Sequence, residues 1–507
     1  MTHRAISVSP LTRRTVLSLV IALLWLPRSS ASQTTPAPDV PWGINNAFAS
    51  SGASTSGWLG DLGATSISDH LPRRKIEKQK AKKVAYDFGP IEDKLRVYAD
   101  EAGANAWFVI NVESVYQFKD GRLVNSGPAA GTYVPDGPSS YLAYKDFLKA
   151  LVTYVNSRSP GWKVRYWSID NEHSNLQLLA FCSEAIDGPC AKQAGREYAR
   201  LLEVSHDVIK GLDPNAKIVF GGPGSICPDA VYEAYYNEAL FFLKQHRADG
   251  RFDFFDYHNF NTYQLYRENV RGKTVEFYRQ LLANNGFAGK PILIKAGATH
   301  SGMDKLAGGL KGLDEHQTEA QQAEYLIKRA VYHVGKDVKR VLWGTIREDT
   351  EIHGTFSHNG LIYNGIPTAD ACDPAAELPC PDPGDGIKKL SYYTFKKLVE
   401  KLRDSDWEGI ETVSEGADHV YIYKFTKTDS GAAVNVAWWD YFEDVGESRS
   451  VTINVGDAPQ VTVTELIPPF ESGADITEYA SAFRAETKAV ENHEVTLQLG
   501  ASPVLVE

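Results

Sequence analysis

The chain has 507 residues, of which 43% are hydrophobic and 23% are charged, and its formal net charge is −11. This length exceeds one ordinary compact domain, and the composition is that of a soluble globular protein with a sizeable core. The acidic balance argues against nucleic acid as a main partner, because phosphate binding needs a basic surface.

The first 31 residues have the order of a secretory signal. Arg13 and Arg14 precede an apolar run at 16–26, and small residues follow at 29–31. The apolar run is too short to span a bilayer, so we expect a cleaved signal peptide and no membrane insertion after its removal. The paired arginines resemble a bacterial twin-arginine signal. The sequence therefore predicts an exported protein, periplasmic or extracellular, with a Thr/Pro-rich linker at 32–41.

Four of the five cysteines form two closely spaced pairs. Cys182 and Cys190 bracket one loop rich in acidic residues and Ala, and Cys372 and Cys380 bracket a second. Short loops closed by cysteines in an exported protein predict two local disulfides, with Cys227 left free. A metal site is the alternative, but neither pair has CxxC spacing or a nearby histidine. We expect no metal or organic cofactor.

Eight short β-rich runs alternate with helical stretches between residues 42 and 403. The predicted strands lie at 42–45, 65–68, 106–112, 164–169, 217–221, 252–258, 291–295 and 340–344. The predicted helices lie at 91–102, 141–156, 193–212, 231–246, 274–285, 315–334 and 388–402. Apolar strands separated by helices indicate a parallel sheet buried on both faces. Eight such units predict a closed (β/α)₈ TIM barrel, an α/β fold.

The pattern changes in residues 404–507, where alternating strands follow one another without helices. The predicted strands are 420–425, 433–438, 450–455, 461–466 and 494–499. Their Gly and Asp turns predict a C-terminal antiparallel β-sandwich domain.

The fourth predicted barrel strand ends in a pair of residues suited to glycosidic cleavage. It runs Trp-Ser-Ile-Asp-Asn-Glu at residues 167–172, so Asn171 and Glu172 follow a β-run. Active sites of such barrels lie at the carboxyl ends of the strands. A carboxylic acid there can protonate the departing glycosidic oxygen, while an amide holds a sugar hydroxyl.

At this point the chain resembles the clan-A glycoside hydrolases, retaining (β/α)₈ enzymes of which many have an appended β-sandwich. The resemblance implies a carbohydrate substrate, with Glu172 as the acid/base and Asn171 as its sugar-binding neighbour. It also implies that His258 and Tyr263, after strand six, bind substrate, and that Trp343, at the end of strand eight, floors the sugar subsite.

Strand seven departs from the family, whose nucleophile is a Glu typically two residues before a Gly. Counting back from Gly297 gives Lys295, and counting forward from the strand's Pro gives Ala296. Strand two also departs, because Ser68 stands where many relatives carry an Arg that supports the nucleophile. Arg73 and Arg74 follow closely and could substitute for it.

A lysine at the nucleophile position changes the chemistry. Retaining hydrolysis uses two carboxyl groups about 5 Å apart, one ionised to attack and one protonated to donate. An ammonium cannot form the glycosyl ester, and it favours the ionised form of the neighbouring acid. The sequence therefore predicts that ordinary retaining hydrolysis is very slow.

Four interpretations stay open. Another carboxylate could have taken over the role of nucleophile, from the set Asp69, Glu113, Glu348, Asp349 and Glu351. The protein could be a non-catalytic carbohydrate-binding pseudo-glycosidase. Position 295 could carry a variant of an otherwise active enzyme. Finally, a lone lysine could be the Schiff-base nucleophile of an aldolase barrel.

Overall fold

The structure is a computed structural model, and it describes most of the chain from residue 40 onward. The described residues are 40–45, 57–80, 83–102, 107–113, 117–119, 122–124, 138–158, 163–173, 187–222, 224, 228–246, 250–258, 260, 261, 263–269, 271–302, 316–348, 358–366, 371–373, 378, 379, 382–440 and 447–507. The predicted signal peptide, Cys182, Cys227 and Cys380 lie outside them, as does the side chain of Cys372. Export and both disulfides therefore stay predictions.

Eight parallel strands form a closed barrel, which confirms the predicted TIM-barrel fold. In chain order the strands are β1 Trp42–Asn45, β2 Ser66–Pro72, β3 Trp107–Glu113, β4 Lys163–Ile169, β5 Lys217–Phe220, β6 Phe254–Asp256, β7 Ile292–Ile294 and β8 Val338–Trp343. Each strand pairs with its neighbours in sequence, and β8 closes the barrel on β1, where Trp42 is in register with Val341.

Helices connect the barrel strands, as expected for parallel strands that need crossovers. They are α1 Trp58–Leu62, α2 Arg73–Ile76, α3 Gly89–Ala102, α4 Pro138–Ser157, α5 Gly188–Leu212, α6 Asp229–Gln245, α7 Val275–Asn284, α8 Glu319–Gly335 and α9 Leu390–Leu402. Short two-stranded pairs lie at Glu77–Lys80 with Lys83–Tyr86, Gln117–Lys119 with Arg122–Val124, Thr345–Arg347 with Gly360–Ile362, and Ala371–Asp373 with Leu378–Pro379. No helix within the described ranges is long and apolar enough to cross a membrane.

Side-chain alternation along the strands separates the barrel interior from the layer beneath the helices. On β7, Leu293 belongs to a small interior cluster, whereas Ile292 and Ile294 belong to the large outer core. Because successive residues of a strand face opposite sides, Lys295 continues the interior face. On β4, Tyr166 is interior in the same way, so Ser168 follows it on that face.

The C-terminal region is an antiparallel β-sandwich, as predicted. Its strands are β9 Glu411–Ala417, β10 Val420–Thr426, β11 Ala433–Trp439, β12 Arg449–Asn454, β13 Gln460–Glu465, β14 Ala485–Ala489, β15 Glu494–Leu499 and β16 Val504–Val506. Six of them form one sheet in the order β9-β10-β11-β16-β13-β14, and β12 pairs with β15 in the second. A single hydrophobic core continues from the barrel helices into side chains of this region, including Tyr421, Trp438 and Leu505.

Candidate active site

Glu172 stands just beyond the carboxyl end of β4, on the rim of the barrel. Its side chain is 37% exposed, and its Oε1 lies 3.6 Å from Nε2 of His258. His258 follows β6, so two predicted site residues from different strands meet here. An exposed carboxyl group at this end of the barrel is placed to exchange a proton with a bound ligand.

The chain around Glu172 is held in an uncommon backbone conformation. Asp170, Glu172 and His258 have positive φ angles of 55°, 47° and 43°. Such left-handed conformations in residues other than glycine are disfavoured and gather at functional sites. The next residue, His173, anchors the segment: its ring nitrogens lie 2.8 Å from the Tyr235 hydroxyl and 2.7 Å from the Gly221 carbonyl oxygen.

Lys295 reaches across the barrel interior from β7 toward β4. Its Nζ donates to Oδ1 of Asn171 at 3.0 Å and to Oγ of Ser168 at 3.3 Å. The side chain is completely buried. Of the two positions left open by the sequence, Lys295 is therefore the one whose side chain contacts residues at the end of strand four.

Asp256, near the end of β6, is a member of the site that the sequence analysis missed. Its Oδ1 accepts backbone N–H groups of Lys295 at 3.0 Å and of His258 at 3.1 Å. Its Oδ2 lies 3.8 Å from the Lys295 ammonium, and both side chains are fully buried. Burial raises the pKa of Asp256, while the adjacent Lys295 acts in the opposite direction. The position could have been found from the sequence, because it precedes His258 by two residues and strand alternation puts the two on one face.

His258 is electrically neutral at ordinary pH. Burial, and then the positive charge of Lys295, lower its pKa to about 3, with smaller contributions from His70 and Arg329. A neutral imidazole contacting Glu172 does not hold that carboxylate by charge. It offers one N–H donor or one acceptor to the rim.

The two predicted substrate-binding aromatics differ in their surroundings. Trp343 is 2% exposed and belongs to the outer core, where its ring stands edge-on to Tyr325 of α8 at 6.1 Å and its Nε1 donates to the Asn359 carbonyl oxygen. On β8, Leu342 rather than Trp343 takes the interior position. Tyr263 is partly buried in the loop after β6, and its backbone N–H donates to Gln317 Oε1 at 2.7 Å.

The candidate replacement carboxylates with described side chains are engaged in ion pairs. Asp69 turns toward α3, where Lys94 Nζ lies 3.0 Å away. Glu348 is buried against Lys389; burial alone would raise its pKa, but Lys389 and His358 lower it. The side chain of Glu113, together with Asp349 and Glu351, lies outside the described residues.

Of the two arginines considered as substitutes on strand two, Arg73 is the one whose side chain is described. The Arg73 side chain is buried and bonds Glu77 one turn later, with Nε 2.5 Å from Oε2. The side chain of Arg74 is outside the described residues. Within the described ranges no group of three His, Cys, Asp or Glu side chains could hold a metal ion.

An eight-stranded parallel barrel followed by an antiparallel β-sandwich is an architecture that this chain has in common with solved structures of clan-A glycoside hydrolases. Solved structures with this fold include glycosidases of families 39 and 51. A family 39 glycoside hydrolase from Bacteroides cellulosilyticus is 14% identical, with a TM-score of 0.60 over 93% of this chain and 81% of that chain.

Two further solved structures have TM-scores of 0.56. A family 39 β-xylosidase from Caulobacter crescentus is 16% identical, and a family 51 α-L-arabinofuranosidase from Thermotoga petrophila is 12% identical. Each match covers 93% of this chain and 97% of the other. Sequence comparison with family models and with curated proteins gives no match. The similarity thus lies in the fold, and at these identities the fold is all that it shows.

Proposed function

We propose that the protein acts on O-glycosidic bonds of an oligosaccharide or polysaccharide, with Glu172 as its acid/base. The observation that carries this proposal is the placement of Glu172. Its partly exposed carboxyl group stands on the barrel rim beside a neutral His258, on a backbone held in the left-handed region. A carboxyl group at this place can protonate the leaving glycosidic oxygen.

Lys295 does not serve as a covalent nucleophile in this proposal. Its ammonium is buried and held by Asp256, Asn171 and Ser168. An ammonium has no carboxylate oxygen, so it cannot form a glycosyl ester. Hydrolysis then requires a water molecule activated by a second carboxylate about 6.5–9.5 Å from the acid, which is the inverting arrangement. Glu113, Asp349 and Glu351 are the remaining candidates for that base.

A second function, carbohydrate binding without turnover, is favoured by one observation. Lys295, which the sequence predicts at the nucleophile position, is fully buried, and its ammonium lies 3.8 Å from Asp256 Oδ2. The rim around Glu172 keeps polar groups that can bind sugar hydroxyls. A binding protein would need no more than this.

The first prediction separates the two functions. If Glu172 is the acid/base, the wild-type protein cleaves some glycan, and Glu172→Gln lowers the rate at least about 100-fold, because general acid–base catalysis contributes roughly that much. The screen starts with xylosides and arabinofuranosides, which the names of the structural neighbours suggest. It is followed by reducing-sugar release from polysaccharides.

The matched control is Glu324→Gln, a carboxylate on α8 whose Oε1 accepts from Ser502 Oγ far along the chain from the rim. It should leave the rate unchanged. Cleavage that survives in Glu172→Gln would remove Glu172 from the mechanism. Binding of a glycan without any release of product would identify the binding protein.

Export through the twin-arginine route, to the periplasm or beyond, is part of the same proposal. It is supported by the order of residues 1–31 and by the cysteine spacing, with bonds Cys182–Cys190 and Cys372–Cys380 and a free Cys227. Mapping of non-reduced peptides from the secreted protein tests the pairing and the cleavage point together. A bridged Cys227 or a retained residue 1–31 segment would contradict it.

A further inference from the structure

The contact between Lys295 and Asn171 fixes which end of an amide faces the ligand. A lysine ammonium carries three hydrogen-bond donors and no acceptor. The Asn171 atom 3.0 Å from Lys295 Nζ must therefore be the carbonyl oxygen, Oδ1. This assignment follows from the chemistry of the lysine and needs no view of hydrogen atoms.

The other end of the amide is then the Nδ2 group, and it turns away from Lys295. The Lys295 bond is the single hydrogen bond that the Asn171 side chain makes to other described residues, and the side chain is partly exposed beside Glu172. A carboxylate at position 295 would demand the opposite orientation, because it accepts and cannot donate.

The Lys295 side chain is itself fixed by contacts with Asp256 and Ser168. Asp256 accepts the backbone N–H of Lys295 at 3.0 Å and lies 3.8 Å from its ammonium, and Ser168 accepts a further bond from Nζ at 3.3 Å. The ammonium therefore has a fixed direction toward Asn171. A charge-assisted bond to a buried donor is strong enough to select one of the two amide orientations.

We propose that Lys295 is a positioning residue that locks Asn171 with its Nδ2 donors toward the barrel mouth. The substitution at position 295 thus reverses the hydrogen-bond polarity of the site instead of merely deleting a nucleophile. The ligand atom that meets Asn171 is an acceptor, such as a hydroxyl, ring or carboxylate oxygen of a saccharide. The identity of that ligand rests on the proposed function, whereas the orientation of the amide does not.

A double-mutant cycle tests the orientation without any ligand. Asn171→Asp puts a carboxylate oxygen next to the ammonium, so in the wild-type background the thermal midpoint should stay the same or rise. In a Lys295→Met background the same change loses its cation, and the midpoint should fall by at least roughly 2 °C relative to Lys295→Met alone. The matched control is Asn261→Asp, because Asn261 Nδ2 donates to the Asn269 carbonyl oxygen. It should cost the same in both backgrounds.

The side-chain amide signals of ¹⁵N-labelled asparagine provide a second readout, which does not depend on whether Lys295→Met folds. The Asn171 pair is identified by its disappearance in Asn171→Asp. In the wild-type protein it should exchange rapidly with water, because the donors face the mouth. Equal effects of Asn171→Asp in both backgrounds, or a wild-type Asn171 amide protected from exchange, would overturn the proposal. Failure to find any glycan ligand would bear on the proposed function alone.

Discussion

At the scale of single residues, the candidate site depends on one buried carboxylate that supports strained neighbours. Left-handed backbone in a residue other than glycine costs roughly 1–3 kcal/mol, and His258 has this conformation with φ of 43°. Asp256 offsets part of that cost by accepting the His258 N–H two residues later in the chain. The imidazole is thereby kept within 3.6 Å of Glu172.

Gly222 provides the room for this arrangement, which leads to the second prediction. A Cβ on Gly222 would lie 2.7 Å from Asp256 Oδ2 and 2.9 Å from the Cβ of His258. We expect Gly222→Ala to lower the free energy of unfolding by about 1–3 kcal/mol, as overpacking of a tight interior does. It should also weaken any glycan binding or cleavage, because His258 must move. Urea denaturation and the glycan assay measure the two effects.

Gly211 is the matched control, since a Cβ there would meet nothing within 4 Å. It lies inside α5, so Gly211→Ala should be neutral or stabilise by about 0.5–1 kcal/mol. Equal stability of the two alanine variants would show that Asp256 and His258 can move to make room for a Cβ at position 222.

Site residues were predictable from sequence where a strand end and a family motif coincided. Glu172 follows a clear β-run. Gly297, two residues after Lys295, indicated Lys295 as the candidate site residue after β7. Asp256 matches no family motif, and its one signal in the sequence is that it lies two residues before His258; its two backbone donors are visible only in the structure. The sequence alone could not show that Trp343 packs in the outer core, because aromatic rings occur both in cores and in sugar subsites.

At the scale of elements, the burial of a strand determined whether it could be predicted from the sequence. Each of the eight predicted barrel strands overlaps an observed strand, because these strands are apolar on both faces. Three sandwich strands were missed. β9 is exposed along almost its whole length, β14 reads Ala-Glu-Thr-Lys-Ala without apolar alternation, and β16 has 3 residues.

The start of α8 joins the barrel to the sandwich through one carboxylate, which is the subject of the third prediction. Glu319 is buried, and its Oε1 accepts from the Tyr363 and Ser472 hydroxyls. Its Oε2 accepts the backbone N–H groups of Leu390 and Gly473, both at 2.8 Å. Glu319→Gln would turn an NH₂ group toward donors, so we expect a loss of about 2–3 kcal/mol in the free energy of unfolding.

The control is again Glu324→Gln on the same helix, whose hydroxyl contact is exposed. Its effect should stay within about 0.5 kcal/mol, as for most surface substitutions. Chemical denaturation followed by tryptophan fluorescence measures both variants. A Glu319→Gln protein as stable as Glu324→Gln would mean that the joint is held by apolar contacts alone.

At the scale of the whole molecule, buried neutral histidines make the fold sensitive to acid. Burial lowers the pKa values of His173, His258 and His333 to about 3, from an ordinary value of 6.5. The unfolded chain therefore binds more protons than the folded one between these pH values. The stability that these histidines provide is fully present above pH 6.5 and is lost as the pH falls toward 3.

The fourth prediction is a fall of the thermal midpoint as the pH is lowered from 7 to 5. Each histidine contributes about 1.4 kcal/mol per pH unit inside the window. Asp256 and Glu203 oppose them, because their raised pKa values favour the folded state as the pH falls, whereas His206, whose pKa is lowered by burial, adds to the effect of the three histidines. Replacing the exposed His493 with Gln should leave the curve unchanged, since its side chain is 60% exposed. A midpoint that is flat over this range would contradict the neutral, buried state of these rings.

The central claim is that the barrel retains the acid/base of a clan-A glycosidase and carries a cation in place of its nucleophile. Lys295→Glu supplies the missing carboxylate, but it stands next to Asp256, so Asp256→Asn is added to remove the repulsion while keeping an oxygen for the two backbone donors. We predict that the double variant hydrolyses aryl glycosides with retention of configuration, at least about 1,000-fold faster than wild type, equivalent to about 4 kcal/mol of barrier. Ala296→Glu with Asp256→Asn should show no retaining activity above the wild-type rate. A comparable gain in the Ala296 variant, or in neither variant while circular dichroism shows both to be folded, would contradict this claim; NMR of the products follows their configuration.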